Sequence, residues 1–309
     1  MNDTRRAVLE AIDGQGVSGA DLAKRLDVTR AAVWKHVEAL REEGFLIESD
    51  NGYRLVSVPE FGASAVEYGL DAPFEIEYHD TIGSTNDRAR EAASAGAENL
   101  VVLADEQTGS RGRLDREWSA PSGGIWVSPV LRPDIPPAHA PLVTLAAAVA
   151  TTTAAREAGV DARIKWPNDV LVPTADGDRK LAGILTEMEG EADRISWVVP
   201  GIGINANIDV AELPAGATSL RDQVGDVDRR VFTQRVLEAL DELLSEEDAI
   251  LERWRENALT LGQRVRVETA SGIVEGEAID IERPGTLLVD TGSETVRVHA
   301  GDCEHLRPA

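Results

Sequence analysis

A single cysteine, Cys303, occurs among 309 residues. An internal disulfide is therefore impossible, and a zinc site built on cysteines is excluded. No uninterrupted apolar stretch approaches the roughly 20 residues that span a bilayer, so no membrane partner is expected. The opening residues, MNDTRRAVLEAIDGQG, lack the apolar segment of a secretory signal, and the expected location is the cytoplasm. Positive charge is also scarce. Thirty-one basic residues face 55 acidic ones, a net charge of −24, which ordinarily argues against nucleic-acid partners. The acidic residues are spread along the chain rather than gathered in one tail. That suits a protein kept soluble in concentrated salt, where repulsion is screened within a few ångströms. A halophilic source is the expectation, and an ordinary acidic protein the alternative.

What is present divides the chain. Val8, Leu9 and Ile12 mark a first helix ended near Gly14, and Ser18 precedes a second through Leu22, Ala23 and Leu26. Thr29 can cap a third helix with Ala32, Val33, Val37 and Leu40 on one face, stopped by Gly44. Two β-rich pieces then flank Asp50-Asn51-Gly52, a hairpin signal. Helix, helix–turn–helix and hairpin together are the layout of a winged helix. Residues 1–58 hold 8 basic and 10 acidic side chains, so nearly all the negative charge lies beyond them. In such a unit the third helix enters the major groove, and Thr29, Arg30, Trp34 and Lys35 are the candidate DNA-binding residues. A unit used only for protein contacts is the alternative.

Pro59 to Gly62 reads as a linker. Beyond it, strand-like runs (101–105, 124–131, 162–172, 181–188 and 195–207) alternate with helical ones (84–95, 141–158 and 229–259). Short gaps between strands favour an antiparallel or mixed sheet with helices to one side, an α+β domain. Short alternating strands between glycine turns from 262 onward describe a small β-barrel. The expected domains are 1–60, 61–261 and 262–309.

The chemistry concentrates in four segments. DEQTGSRGRLDREWSAPSGGIWVS (105–128) is a glycine- and arginine-rich loop after a strand, and its guanidinium groups and backbone N–H groups suit phosphates or carboxylates. It matches neither GxxxxGK[ST] nor GxGxxG before a helix. Trp118 and Trp126 beside Gly123-Gly124 suit a pocket wall better than a solvated loop. KWPNDVLV (165–172) places Asn168 and Asp169 in a turn, where they serve either a metal–phosphate group or an Asx turn. KLAGIL (180–185) puts a lysine at the start of an apolar strand. GIGINAN (201–207) allows close approach of the backbone to a ligand.

Taken in order and spacing, these segments resemble the biotin protein ligases, in the bifunctional form that also represses the biotin operon. Ser84-Thr85-Asn86 is similar to that family's serine–threonine–asparagine signature, and QTGSRGRLDREW to its adenylate loop. The resemblance covers almost the whole chain, from TRAAVWKHVEAL in the first unit to the small barrel. It implies two substrates, biotin and ATP, with Mg²⁺ as the metal. It implies that Ser84, Thr85, Asn86 and Gln107 bind the biotin ureido and neighbouring groups, while Trp126 and Gly183 line the ring pocket. Arg111 and Arg113 would order the loop, and Lys180 would bridge the biotin carboxylate and the α-phosphate. Lys180 and Arg113 are thus the implied catalytic residues. Arg116, Trp118, Lys165, Asn168, Asp169 and Asn205 would surround the nucleotide, with Asp169 at the metal. The implied partners are the biotin-carrier domain of a carboxylase, operator DNA, and a second copy of the chain joined through the central sheet. Two departures stand out, since the family's loop has glycine where Ser110 and Asp115 stand here.

Adenylation needs no nucleophilic side chain, and the sequence offers no credible Cys/His or Ser/His pair. It needs neutralisation of two approaching anions, which Lys180, Arg113 and Mg²⁺ supply. Two rivals remain. A non-enzymatic, ligand-sensing regulator explains the first unit but leaves Lys180, Arg111 and Arg113 without a task. A lipoyl-protein ligase shares the two-step chemistry but not usually the DNA-binding front end.

Overall fold

The structure is a computed structural model. It describes residues 1–191 and 193–306, with the side chain of Asp115 outside that description. The chain separates into two compact units, Met1–Asp71 and a second beginning at Ala72. The division therefore falls about ten residues beyond the expected linker.

The first unit begins with helices α1 (Asp3–Ile12), α2 (Gly19–Arg25) and α3 (Arg30–Glu42), each started by a polar cap. Asn2, Ser18 and Thr29 accept from the backbone N–H groups of Arg5, Asp21 and Ala32, satisfying donors that a helix start leaves open. Strands β1 (Leu46–Glu48) and β2 (Arg54–Ser57) form an antiparallel hairpin, with Ile47 opposite Leu55. Helix α4 (Ala63–Glu67) follows. Val8, Leu9, Ile12, Leu22, Val33, Val37, Leu40, Phe45 and Ile47 make one buried cluster. That arrangement leaves Thr29, Arg30, Trp34 and Lys35 exposed on α3.

The second unit carries β3 (Glu75–Ile82), α5 (Thr85–Ser94), β4 (Leu100–Gln107), β5 (Ile125–Pro129), α6 (Pro141–Glu157), β6 (Arg163–Lys165), β7 (Asp169–Val172), β8 (Arg179–Gly190) and β9 (Ile195–Ile204). Helices α7 (Leu220–Val224), α8 (Arg229–Ser245) and α9 (Glu247–Asn257) come next. Strands β10 (Arg264–Thr269), β11 (Gly272–Glu282), β12 (Thr286–Asp290), β13 (Thr295–Val298) and β14 (Asp302–His305) complete it. The first seven strands form one mixed sheet in the order β3-β4-β5-β9-β8-β7-β6, in which only β3 and β4 run parallel. The last five form an antiparallel sheet in the order β13-β12-β11-β10-β14.

Helices cover both faces of the seven-stranded sheet, which corrects the expectation of helices on one side. Residues directly paired across strands share a face. On one face, Val199 and Trp197 pack with Ala89 and Ala93 of α5. On the other, Thr186 of β8 meets Thr144 of α6 at 2.7 Å. The sequence from 137 to 157 is long and apolar enough to cross a membrane by length and composition, but most of it is buried inside this unit. Two further expectations shift. The run 162–172 is two short strands around Pro167, and the helix expected over 229–259 breaks at Glu246. Strand β3 carries no alternating apolar signal, since only Ile76 of its eight residues is buried.

Candidate functional site

The site lies on the sheet face that carries α5. Gly183 pairs with Gly203 and Leu185 with Gly201, so three glycines share one strip of that face. The floor needs them. A Cβ on Gly203 would stand 3.0 Å from the Trp118 indole nitrogen, one on Gly183 3.1 Å from the same ring, and one on Gly201 would overlap Asn86. Backbone thus replaces side chain where a flat group lies against the sheet.

Around this floor is a cavity of about 200 Å³. Its lining includes Ser84, Thr85, Asn86 and Gln107 at one end, and Asn168, Asp169, Lys180 and Gly183 at the other. Arg111, Arg113, Arg116 and Trp118 cover it from the loop. The first group sits at the start of α5. Ser84 caps the helix through Asp87 N–H, and the Thr85 N–H and hydroxyl donate to Gln107 Oε1 at 2.7 and 2.9 Å. The Thr85 N–H can only donate, so Gln107 keeps its oxygen there and has its NH₂ group left for a ligand. Asn86 is buried; its amide donates to Leu185 O at 3.1 Å and Glu187 Oε2 at 3.0 Å, and it accepts from Ser128 at 2.7 Å.

The loop's three arginines tie it to two sides of the cavity. Arg111 donates to Asp87 of α5 at 2.8 Å. Arg113 donates to Asn168 Oδ1 at 2.9 Å and Gly301 O at 2.8 Å, and Arg116 pairs with Asp302. Lys180 Nζ lies 2.8 Å from Asp169 Oδ1 and 4.9 Å from the centre of the Trp118 ring. The ammonium is thus held between a carboxylate and a π-face.

Three expected site residues do not line the cavity. Trp126 is buried, its indole N–H donating to Asp105 O at 3.0 Å and Pro121 O at 3.2 Å, and it packs with Ala104, Ala120 and Ile208. Asn205 is buried below Lys180, its amide NH₂ donating to Thr218 O at 2.9 Å and Lys180 O at 3.4 Å, so that group positions backbone. Lys165 lies toward the C-terminal sheet, close enough for its charge to act on His305 and Cys303. In the other direction, Asp87, Glu187 and Asp302 were not expected at the site, and Glu187 and Asp302 line it. An alternating strand offered a signal for Glu187, two and four residues from Leu185 and Gly183; none existed for Asp302, which the fold brings in from far along the chain. Cys303 is buried and its thiol pushed up to about 12, chiefly by burial, so it is no nucleophile.

Comparison with known proteins gives three family matches. Residues 79–205 match the biotin/lipoate A/B protein ligase family, residues 4–54 a helix–turn–helix (HTH) domain, and residues 260–306 the biotin protein ligase C terminal domain. The chain is 36% identical to the bifunctional ligase/repressor BirA of Bacillus subtilis over 97% of its own length and 98% of that protein's. The chain belongs to the biotin/lipoate A/B protein ligase family. It is also 37% identical to the biotin–[acetyl-CoA-carboxylase] ligase of Mycobacterium tuberculosis, over 73% of this chain and 86% of that one. Among solved structures it is similar to the biotin protein ligase of Aquifex aeolicus in complex with biotin and ATP. That likeness has a TM-score of 0.63 and 26% identity, covering 75% of this chain and 99% of the other.

Within this ligase family the loop departure at Ser110 has a structural use. Its hydroxyl donates to Trp118 O at 2.7 Å, and its own carbonyl accepts from Trp118 N–H at 3.4 Å. The side chain therefore closes the loop on itself. The departure at Asp115 lies outside the described residues.

Proposed function

We propose that the chain is an ATP-dependent biotin protein ligase that forms biotinyl-adenylate, transfers biotin to a lysine of a biotin-carrier domain, and represses transcription in response to biotin. What carries the reading is a hydrogen-bonding pocket and a cationic end around one glycine floor, in a chain that parallels a bifunctional ligase/repressor over nearly its full length. Ser84, Thr85 and Gln107 bind the ureido group, with Asn86 fixing their geometry. Gly183 forms the floor of the ring pocket, and Arg111 orders the loop above it. Lys180 and Arg113 lie where a carboxylate and an α-phosphate converge.

The chemistry follows from charge. A biotin carboxylate oxygen attacks the α-phosphorus, the bond to pyrophosphate breaks, and a mixed anhydride remains. Both reactants are anions, so preorganised cations lower the barrier more than any acid or base would. The Lys180 ammonium and the Arg113 fork offer fixed positive charge to the carboxylate and the phosphate, and Arg116 adds a third cation toward the nucleotide. Trp118 covers the bound nucleotide. The carrier lysine's amine then attacks the anhydride carbonyl, AMP leaves, and the amine loses its proton.

Mg²⁺ fits the residues present. Asp169 is a carboxylate on the cavity wall, its Oδ1 facing Lys180 Nζ at 2.8 Å, and a hard cation held partly by substrate phosphates needs only one or two carboxylates. Among the described residues no group of three His, Cys, Asp or Glu side chains is gathered for a metal. Asp169, with Asn168 beside it, would hold the ion, which would neutralise phosphate charge.

In the first unit, α3 is the recognition helix and the β1–β2 hairpin the wing. Exposed Arg30, Trp34 and Lys35 on an otherwise acidic protein support this reading, with Thr29 at the helix start. The strands from β10 onward form the third, barrel-like domain. The enzyme acts in the cytoplasm, alongside its carboxylase. It works in concentrated salt, and pairs through its central sheet when the adenylate is bound. The deciding experiment is transfer of labelled biotin to a carrier domain, with a carrier lysine→arginine variant as control. Label on the lysine supports the ligase; a folded enzyme that labels only with lipoate supports the lipoyl alternative.

A further inference from the structure

Both ends of the arginine loop are tied together at its base, and apart from Gln107 the residues that tie them do not line the cavity. Asp105, near the end of β4, accepts from the Ser122 hydroxyl and from Gly123 N–H at 3.3 Å, on the far side of the loop. Its third partner is Arg229, the first residue of α8, whose Nη1 also donates to Gly124 O at 3.1 Å. The Trp126 indole bridges the same two ends, from Asp105 O to Pro121 O. One rung higher, Gln107 N–H donates to Ala120 O at 2.9 Å.

The charge pair at this base is largely enclosed, with 11% of Arg229 and 21% of Asp105 exposed. Burial raises the Asp105 pKa, but hydrogen bonds from Arg229, Ser122 and Gly123 outweigh it and hold the carboxyl below its ordinary value. Enclosing two charges is costly, and an apolar pair of similar volume would often stabilise a fold as well or better. What an ionic pair adds is direction. Three donors converge on one carboxylate, and they fix where residues 105 and 122–124 stand relative to each other.

We propose that Asp105 and Arg229 are positioning residues of the ligase reaction: a clamp at the loop's base that makes its tip close over the adenylate in one register. This rests on the ligase reading above. The tip carries the groups that would shield the anhydride, namely Arg111, Arg113 and Trp118. With a loose base the tip opens more often, and water reaches the carbonyl carbon. Water attack then releases AMP and free biotin, whereas lysine attack releases AMP and leaves biotin on the carrier. The clamp therefore governs the partition between these two fates, and α8 becomes coupled to adenylate retention without touching it.

The test is that ratio, free biotin released per biotinyl-lysine formed, measured in single turnover with a carrier domain for wild type, Asp105→Asn, Arg229→Lys and Arg229→Met. Both products come from the same folded molecules, so the ratio does not depend on how much of a variant is folded. Asp105→Asn and Arg229→Met are expected to raise it roughly tenfold, the factor for one lost hydrogen bond to a charged group. Arg229→Lys, which keeps the charge but not the fork, is expected to fall between. Should Arg229→Met not fold, the near-isosteric Asp105→Asn decides. A wild-type ratio in the variants together with a lower Tm makes the clamp merely structural and overturns the proposal. A wild type that forms no adenylate removes the ligase reading, and the clamp with it.

Discussion

Replacing Lys180 by alanine separates chemistry from folding, because the two roles of this residue use different atoms. Its backbone is structural: the N–H donates to Gly216 O at 2.8 Å, and the carbonyl accepts from Thr218 N–H at 2.9 Å and from Asn205. Alanine keeps these bonds. Its side chain makes one ion pair, to Asp169, with 34% and 22% of the two side chains exposed. Such a half-exposed pair is worth up to about 1 kcal/mol, or about 2–4 °C in Tm for a unit of this size. At the transition state the ammonium is asked for far more. Removing one preorganised group of this kind costs about 3–4 kcal/mol, which at 1.36 kcal/mol per decade is roughly 10²- to 10³-fold in rate. The assay is rapid-quench formation of biotinyl-adenylate in a single turnover, with circular dichroism on the same sample. Near-normal adenylation in Lys180→Ala, or a loss that merely tracks the unfolded fraction, refutes the assignment.

Other consequences are as specific. Asn205→Ala leaves the Thr218 carbonyl without its side-chain donor, so thermal unfolding should show a loss of about 1–3 kcal/mol, unlike Lys180→Ala. Arg30→Ala should weaken operator binding and lower the slope of log K against log salt by about one, measured by fluorescence anisotropy; an unchanged slope removes Arg30 from the DNA. His305 has its pKa lowered, first by burial and then by the charge of Lys165, with Asp178 opposing. The unfolded chain therefore takes up this proton first, so the stability is full above roughly pH 6.5 and is lost as pH falls below it. Tm should drop between pH 7.5 and 5.5, and less so in His305→Gln.

Much of this was legible because periodicity and motif order carry it. The buried faces of α1 and α3 follow from apolar spacing, and the cap of α3 from Thr29 and the N–H groups a helix start leaves open. Four short segments far apart in sequence all border one cavity, where Lys180, Asp169, Gln107 and Arg113 meet. What local pattern could not give is the depth of a side chain. Trp126 looked like a pocket wall because it adjoins the glycine pair, yet the loop folds over it and claims its N–H for two carbonyls. Asn205 belongs to a motif that borders the site, but its amide turns down to hold Lys180 in place. Lys165 lies three residues before Asn168, and the turn at Pro167 separates them. Strand β3 carries Glu75, Glu77, His79 and Asp80, and with one buried side chain it gives no alternating signal. Asp302 could be found only from the fold, since its partner Arg116 is 186 residues away.

The most direct test of the ligase reading is biotin-dependent exchange of labelled pyrophosphate into ATP, run at low and high KCl on folded protein. The account predicts exchange with biotin, none with lipoate, and more in concentrated salt, where the −24 net charge is screened. No exchange at either salt concentration contradicts it, and would leave the chain as a regulator that binds a ligand without activating it.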